Sequence, residues 1–380
     1  MVARVSRREY RAPAKGCSSR VVVNNRAARR QPRASGRFTG IVVGACVVLL
    51  TGGVTACSAP GSTLESAPAV TVTRINATLH DPVWSYALHA LVAPTDDHRL
   101  AAVSHVGDGT AQTKLSAPMS LGRNIQISDA DERHVFVPQP EQGRVAVVDL
   151  ASLRQIDDFD AGPAPAYLAA DAGMRVLLAL SQDGYAVTPV DLYGYRKLAT
   201  ARAKDSATTI DGSNRGRQIE YHLYGPAGIR YYKGSSSPPE KRGDFDMDVV
   251  AAAGDSTKVS RTYVADRNRN VVYAVDSRRG GDGLGIVACT QVSSPIRYLG
   301  TDDTRIYAAT DRDLVVFETA SFTGYPQGSI PVLRTVDYRQ QLPDDPVRSA
   351  PLSGMAIGPD RLYLTLQDQP YVIGVAKPHL

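Results

Sequence analysis

A short apolar run closed by an acidic residue recurs along the chain at an even spacing, and this repeat constrains the fold more than any other feature. The run occupies residues 143–150, 186–192, 271–277 and 313–319, with closing acids at Asp149, Asp191, Asp276 and Glu318. The gaps between these acids are 42, 85 and 42 residues, so the middle gap holds two periods. We therefore expect a weaker copy near residue 233, and an aromatic-rich run is present at residues 228–233.

Each repeat also has a first half, in which an apolar run, an Asp-containing turn and a second apolar run follow one another. Runs rich in Val, Ile and Tyr alternate with Gly, Asp and Pro turns, which predicts an all-β protein, and a period of this length is typical of a four-stranded propeller blade. The units resemble those of YVTN-type propellers, seven-bladed folds of exported bacterial proteins, over about residues 85–378. The resemblance implies a β-propeller of seven four-stranded blades, although six or eight also fit so degenerate a signature. The predicted copies begin near residues 91, 125, 167, 209, 246, 297 and 355.

The last predicted blade contains only three strands, the third at residues 371–375. A propeller that left this blade short would expose a sheet edge. We therefore expect the segment around residues 70–88 to supply the missing outer strand and close the ring. Residues 234–243, rich in Ser and Pro, are predicted to form a surface loop.

The segment ahead of this domain has the three zones of an export signal. Residues 1–38 carry eleven Lys or Arg and one acid, a net charge of +10, and residues 39–56 carry no charge. A spanning helix needs about 20 apolar residues, so this short, glycine-interrupted segment favours cleavage over an uncleaved signal anchor. The run Val54-Thr55-Ala56-Cys57 resembles the lipobox of bacterial prolipoproteins, in which the cysteine receives diacylglycerol and becomes the new N-terminus. The resemblance implies lipidation of Cys57.

This resemblance divides the chain into a signal peptide (1–56), a flexible tether (57–69) and a propeller domain (70–380). It implies that the protein is held by its lipid on the extracytoplasmic face of the cell membrane. Arginine outnumbers lysine and alanine is abundant, a composition typical of high-GC genomes, and together with the lipobox this indicates an actinobacterial, mycobacterial-type prolipoprotein.

Cleavage also changes the charge and the cysteine content. The mature part keeps 32 basic and 37 acidic residues, a net charge of −5, so the basic pI of the whole chain gives no reason to expect a nucleic-acid partner. Of four cysteines, two leave with the leader and Cys57 is consumed by lipid. Cys289 is then predicted to be a single buried thiol without an internal disulfide.

Motifs for catalysis, metals or cofactors are missing from the sequence. The seven histidines show no metal-ligand spacing and are predicted to lie in turns or at the surface. Paired aspartates recur at turns, where Asp bonds the local backbone, so no metal site is predicted. There is no Gly-x-Ser-x-Gly elbow and no phosphate loop, and a single tryptophan, Trp84, does not fit the quinone-cofactor propellers. No cofactor is expected.

A propeller offers a ligand site where the loops before the innermost strands converge on the central channel. Positions at or next to those predicted strand starts make up the candidate ligand-binding set: Arg123, Tyr167, Asp246, Asp248 and Arg297. These side chains are predicted to face the channel mouth and bind a small polar ligand; the alternative is that they pair with one another.

Two classes of function follow. The favoured one is a lipid-anchored, non-catalytic binding or assembly module for an unidentified envelope protein or a small polar ligand. The alternative is an exported hydrolase or lactonase-like enzyme with its site in the channel. Such an enzyme needs converging Glu, Asn and Asp ligands or a His base, and the sequence offers only Asn124 and the acids of residues 244–248.

Overall fold

The structure is a computed structural model, and it describes residues 68–378 except 108–109, 214–215, 236–237, 278–282 and 326, with the backbone alone for 322–323. The predicted signal peptide, Cys57 and the tether up to residue 67 lie outside the described residues. In the described part, no helix is long and apolar enough to cross a membrane.

The described chain forms strands β1 to β29, grouped into seven antiparallel sheets that we call blades 1 to 7. Strand β1 (Val70–Arg74) precedes blade 1 and belongs to the last blade. Blade 1 contains β2 (Val83–Ser85), β3 (Ala90–Pro94), β4 (Leu100–Ser104) and β5 (Gln112–Leu115). Blade 2 contains β6 (Gln126–Ile127), β7 (His134–Gln139), β8 (Arg144–Asp149) and β9 (Arg154–Asp160). Blade 3 contains β10 (Pro165–Asp171), β11 (Val176–Ser181), β12 (Ala186–Asp191) and an outer strand split into β13 (Arg196–Lys197) and β14 (Ala201–Arg202).

The remaining blades follow the same plan. Blade 4 contains β15 (Thr209–Gly212), β16 (Ile219–Gly225), β17 (Gly228–Gly234) and β18 (Glu240–Phe245). Blade 5 contains β19 (Val249–Gly254), β20 (Thr262–Asp266), β21 (Val271–Ser277) and β22 (Leu284–Gln291). Blade 6 contains β23 (Ile296–Thr301), β24 (Arg305–Thr310), β25 (Asp313–Glu318) and β26 (Val332–Asp337). Blade 7 contains β27 (Leu352–Ile357), β28 (Arg361–Leu366), β29 (Gln369–Ala376) and β1. Helix is confined to α1 (Ala320–Thr323), α2 (Asp345–Ser349) and two 3₁₀ turns, Pro140–Gln142 and Arg339–Gln341.

Seven hydrophobic clusters hold the ring together in the described residues, one between each pair of neighbouring blades. The second and third strands of a blade are sandwiched between its neighbours, so both of their faces are buried; β11 and the first five residues of β25 are examples. Outer strands such as β9 are mostly exposed. The apolar runs of the sequence are therefore the middle strands of the blades. Because each cluster needs two blades, stability depends on a closed ring.

The ring closes through its N-terminal strand, as predicted. β1 pairs with β29 in antiparallel register, with Val70 opposite Val375 and Arg74 opposite Tyr371. Val70 and Val72 pack on the cluster between blades 6 and 7. The closure places the two ends of the propeller domain in one sheet and covers an edge that β29 alone would leave open.

Seven four-stranded blades confirm the predicted all-β propeller, and the structure corrects three details. The innermost strand of blade 1 is β2, so the copy predicted near residue 91 begins with the second strand instead. Residues 240–243 belong to β18 and not to a surface loop. Cys289 is buried, as predicted, but its sulfur is in a disulfide whose partner is not among the described residues. The prediction of a single free thiol is therefore wrong for the full-length chain.

Candidate functional site: the central channel

The innermost strands of all seven blades surround a central channel. Each blade has four antiparallel strands, so the chain leaves a blade on the same face of the ring on which it entered. Every innermost strand therefore begins on one face of the ring and ends on the other. We call these the front face and the back face. A cavity of ≈ 660 Å³ occupies the channel, lined by residues of β2, β6, β10, β15, β19, β23 and β27. This volume is in the range that holds small ligands in proteins.

A β-bulge recurs near the start of the innermost strand in blades 3, 5, 6 and 7. The extra residue frees a carbonyl from the ladder of its own blade. In blade 3 the Ala166 carbonyl accepts a hydrogen bond from the Arg123 N–H at 2.7 Å, and in blade 7 the Ser353 carbonyl accepts from the Asp81 N–H at 3.0 Å. These bonds tie the loops of the front face to the channel wall.

Two of the five predicted ligand-binding residues, Tyr167 and Arg297, line the channel cavity. The Arg123 guanidinium lies 5.9 Å from the centre of the Tyr167 ring, a cation–π geometry. Asp246 and Asp248 are not among the residues lining the cavity. The structure thus brings Arg123, Tyr167 and Arg297 to the front of the channel and leaves the two acids in the loop before β19.

Three of the four charged members of the predicted set, Arg297, Asp246 and Asp248, form ion pairs, though not with one another. Arg297 makes two hydrogen bonds to Asp311, at 2.6 and 2.7 Å. Asp248 lies 3.2 Å from Arg267, and Asp246 lies 3.2 Å from Arg230, with its side chain 83% exposed. Each of these pairs is solvent-accessible on at least one side, so its charges keep much of their hydration.

Two other carboxylates, Asp81 and Asp211, line the cavity and make no ion pair with any described residue. Asp81 precedes β2, and burial raises the pKa of its carboxyl to about 6 against the opposing effect of His80. Burial likewise raises the pKa of Asp211 to about 6, although backbone N–H groups of Gly254 and Gly212 act to lower it. Both groups still carry mostly negative charge at neutral pH.

His222 also lines the cavity, from the second strand of blade 4. It is only 4% exposed, stacks on Tyr231 with ring centres 4.7 Å apart, and its Nε2 has no hydrogen-bond partner. Burial lowers the pKa of this imidazole to about 4, so the ring is neutral at physiological pH. The prediction that the histidines lie in turns or at the surface is wrong for His222, whereas His89, His98 and His105 have the positive φ values of turn residues.

Aromatic hydroxyls complete the wall. Tyr167 and Tyr298 line the cavity, and burial raises the pKa of both, with a further contribution from the negative charge of Asp81. The negative charge of Asp211 also raises the pKa of Tyr167, so both Asp81 and Asp211 act electrostatically on the Tyr167 hydroxyl.

The Asn124 side chain links blades 2 and 3. Its amide N–H donates to the Leu168 carbonyl at 2.8 Å, and its amide oxygen accepts from the Leu168 N–H at 2.7 Å.

The cavity-lining groups Asp81, Asp211 and His222 were missed by the sequence prediction. Asp81 lies two residues before β2, much as Arg123 lies three residues before the innermost strand of blade 2, and it was missed because the first blade was placed eight residues too late. Asp211 was detectable, since it stands two residues after Thr209 and strands direct alternate residues to one face. Nothing in the sequence marks His222 as a channel residue.

The described residues contain no group of three or more His, Cys, Asp and Glu side chains arranged to hold a metal ion. The ionised carboxylates of Asp81 and Asp211 can act as charged hydrogen-bond acceptors.

No protein-family model and no curated protein sequence matches this chain. Solved structures do match its fold. A chain from the structure entitled "Crystal Structure of Mitotic Checkpoint Complex" aligns with a TM-score of 0.61 and 13% identity, covering 88% of this chain and 100% of that one. U3-55K aligns with a TM-score of 0.60 and 11% identity over 81% of this chain and 98% of that one. The RRP9 WD40 repeats align with a TM-score of 0.59 and 11% identity over 82% and 99%. At these identities the likeness shows the fold, a WD40-like seven-bladed propeller.

Proposed function

We propose that the chain is an exported lipoprotein, anchored through Cys57, whose propeller serves as a non-catalytic binding or assembly module outside the cytoplasmic membrane. The observation that carries the proposal is the position of β1. The described ring closes with the strand that begins at Val70, and the lipobox cysteine, Cys57, precedes this strand by only 13 residues of the sequence.

The topology also indicates how such an anchor would present the domain. β1 is the outer strand of blade 7 and begins beside Val375, near the end of β29, which lies on the back face. The tether would therefore leave from the back face. Its 13 residues (57–69) reach at most about 45 Å when extended, and the front mouth of the channel stays on the side opposite its attachment.

A binding role is supported by the channel and by the fold. The cavity is lined by the carboxylates of Asp81 and Asp211, which form no ion pair with a described residue, and one similar chain comes from a structure entitled "Crystal Structure of Mitotic Checkpoint Complex". Recruiting an envelope protein or a small polar ligand would be the equivalent role for this chain.

Membrane fractionation of cells expressing the wild type or Cys57→Ala tests the proposal. Two or more acyl chains hold a protein stably, whereas one gives only marginal binding of about 10⁴ M⁻¹. The wild type is expected in the membrane fraction, and the variant is expected to be released or to persist as an uncleaved precursor. A Cys17→Ala variant controls for loss of a cysteine. Mature Cys57→Ala that stays in the membrane fraction would refute the anchor.

A further inference from the structure

The channel wall presents two carboxylates that form no ion pair with a described residue and one buried imidazole nitrogen that accepts no hydrogen bond from one. Within the described ranges, Asp81 and Asp211 form no ion pair, Asp211 is hydrogen-bonded only by the backbone N–H groups of Gly254 and Gly212, and the buried His222 Nε2 makes no hydrogen bond. Buried polar groups in native proteins are nearly always paired, and an unpaired buried carboxylate is especially costly. The three groups lie along one cavity, so a single bound molecule can satisfy more than one of them.

The charge of the cavity wall is negative. Its acids are Asp81, Asp129, Asp211 and Asp255, and the basic side chain among the lining residues is Arg297. Arg297 is already neutralised by Asp311. Asp255 is also engaged, because it accepts a hydrogen bond of 2.7 Å from Tyr263. The negative charges of Asp81 and Asp211 are balanced by no ion pair in the described part of the chain.

Asp81 is held in the channel by an unusual backbone. Its φ is +37°, a left-handed value that is uncommon for a residue with a side chain and is further restricted before Pro82. The hydrogen bond from its N–H to Ser353 fixes this conformation. Gly354 allows the close approach, since a Cβ there would lie 2.3 Å from Pro82 Cδ. Strain of this kind persists only where the surrounding structure imposes it.

Asp211 depends on a similar close approach. Its carboxylate lies against the backbone of Gly254 in blade 5, where a Cβ would stand 2.1 Å from Oδ2. His222 is the residue directly opposite Asp211 in the pairing of β15 with β16. Directly opposed residues project to the same face of a sheet, so carboxylate and imidazole share the face of blade 4 that is turned toward blade 5, and both residues line the cavity.

A complementary ligand must supply donors and positive charge. On the ligand side, ammonium and guanidinium groups carry only hydrogen-bond donors. On the protein side, ionised carboxylates only accept hydrogen bonds, and a neutral imidazole can present Nε2 as an acceptor. The rings of Tyr167 and Tyr298 add faces that attract cations. We propose that the channel binds a small organic cation, an amine or guanidine compound, whose N–H groups donate to Asp81, Asp211 and His222. This inference rests on the binding role proposed above and is independent of lipid attachment at Cys57.

Titration calorimetry of the full chain in detergent solution tests the inference, with agmatine as the probe because it carries both head groups. Butane-1,4-diol serves as an uncharged control. Binding of agmatine is expected, and Asp81→Asn and Asp211→Asn are each expected to weaken it about tenfold or more, since hydrogen bonds to charged groups are the stronger kind. His222→Phe keeps a stackable ring, removes the acceptor and should also weaken binding.

Asp345→Asn is the matched control, because Asp345 lies in α2 with its side chain 94% exposed and should leave the affinity unchanged. Melting curves of each variant check that the fold is intact. Because Asn has nearly the same shape as Asp, we expect at least one of the variants Asp81→Asn and Asp211→Asn to fold and to report on binding. The inference is overturned if the wild type shows no agmatine binding at millimolar concentration, if the diol binds equally well, or if Asp211→Asn binds like Asp345→Asn. Each of these results leaves the Cys57 anchor untouched, so the two proposals fail separately.

Discussion

Asp211 lies directly opposite His222 in the antiparallel pairing of β15 and β16, and both residues line the central channel. They are not an ion pair. Burial raises the pKa of Asp211 to about 6 and lowers that of His222 to about 4, so near neutral pH the carboxylate is charged and the imidazole is neutral. The arrangement keeps one uncompensated negative charge at this point of the wall.

The raised pKa of Asp211 predicts a specific pH dependence of stability. The folded pKa is about 6 against an ordinary 3.8, so the folded state binds this proton more tightly than the unfolded state does. The stabilisation is complete below the unfolded value and is lost as the pH rises through about 6. Asp211→Asn should therefore gain stability relative to the wild type between about pH 4 and about pH 7.5. Urea unfolding at both limits measures this, and a difference between the two proteins that does not change with pH would contradict the assignment.

Gly254→Ala is expected to destabilise the protein by about 1–3 kcal/mol, the usual cost of overpacking. The added Cβ would meet Asp211 Oδ2 at 2.1 Å, and this carboxylate has to move. Gly194→Ala is the control, because a Cβ there has nothing within 4 Å. Chemical unfolding of both variants gives the comparison. Equal stabilities would mean that Asp211 does not rest on Gly254.

Removal of β1 should open the ring. A chain that begins at Val70 is expected to fold, whereas one that begins at Leu100 also lacks β2 and β3 and should not. A chain that begins at Ile75 loses five paired residues of β1, and at about 0.5–1.5 kcal/mol per hydrogen bond it should lose several kcal/mol of stability. Thermal melting of the three chains is the measurement. If all three melt at the same temperature, the N-terminal strand does not close the propeller.

The ion pairs near the front face are expected to contribute little to stability. The side chains of Arg297 and Asp311 are 48% and 38% exposed, and Asp246 is more exposed still. Arg297→Gln and Asp246→Asn should each change the free energy of unfolding by less than about 1 kcal/mol, as is usual for exposed pairs. Losses of several kcal/mol in urea unfolding would show that these charges have a structural role, and the prediction of their ligand role would lose its basis.

The blade repeat was predictable because it depends on short-range patterns. Apolar runs that recur every 42 residues become the middle strands, and the predicted starts at 125, 167, 209, 246, 297 and 355 lie within three residues of the observed innermost strands. The first blade was misplaced because β2 has only three residues, with Val83 and Trp84 half-buried, and gives almost no apolar signal.

The channel residues were harder to predict because their side-chain partners come from segments that are separated from them in the sequence. Arg297 and Asp248 were placed correctly near strand starts, but their partners Asp311 and Arg267 come from other turns of the same blades. His222 looks like an ordinary strand residue, and its burial follows from the stacking of blade 4 on blade 5. Asp81 depends on the contact with Ser353, 272 positions further along the chain.

Intact-mass analysis of the mature protein, purified from membranes without reducing agent, tests the central claim most directly. The proposal predicts a chain that begins at Cys57 and carries diacylglycerol. A mature chain with any other N-terminus, or one that begins at Cys57 without the mass of diacylglycerol, would contradict the account.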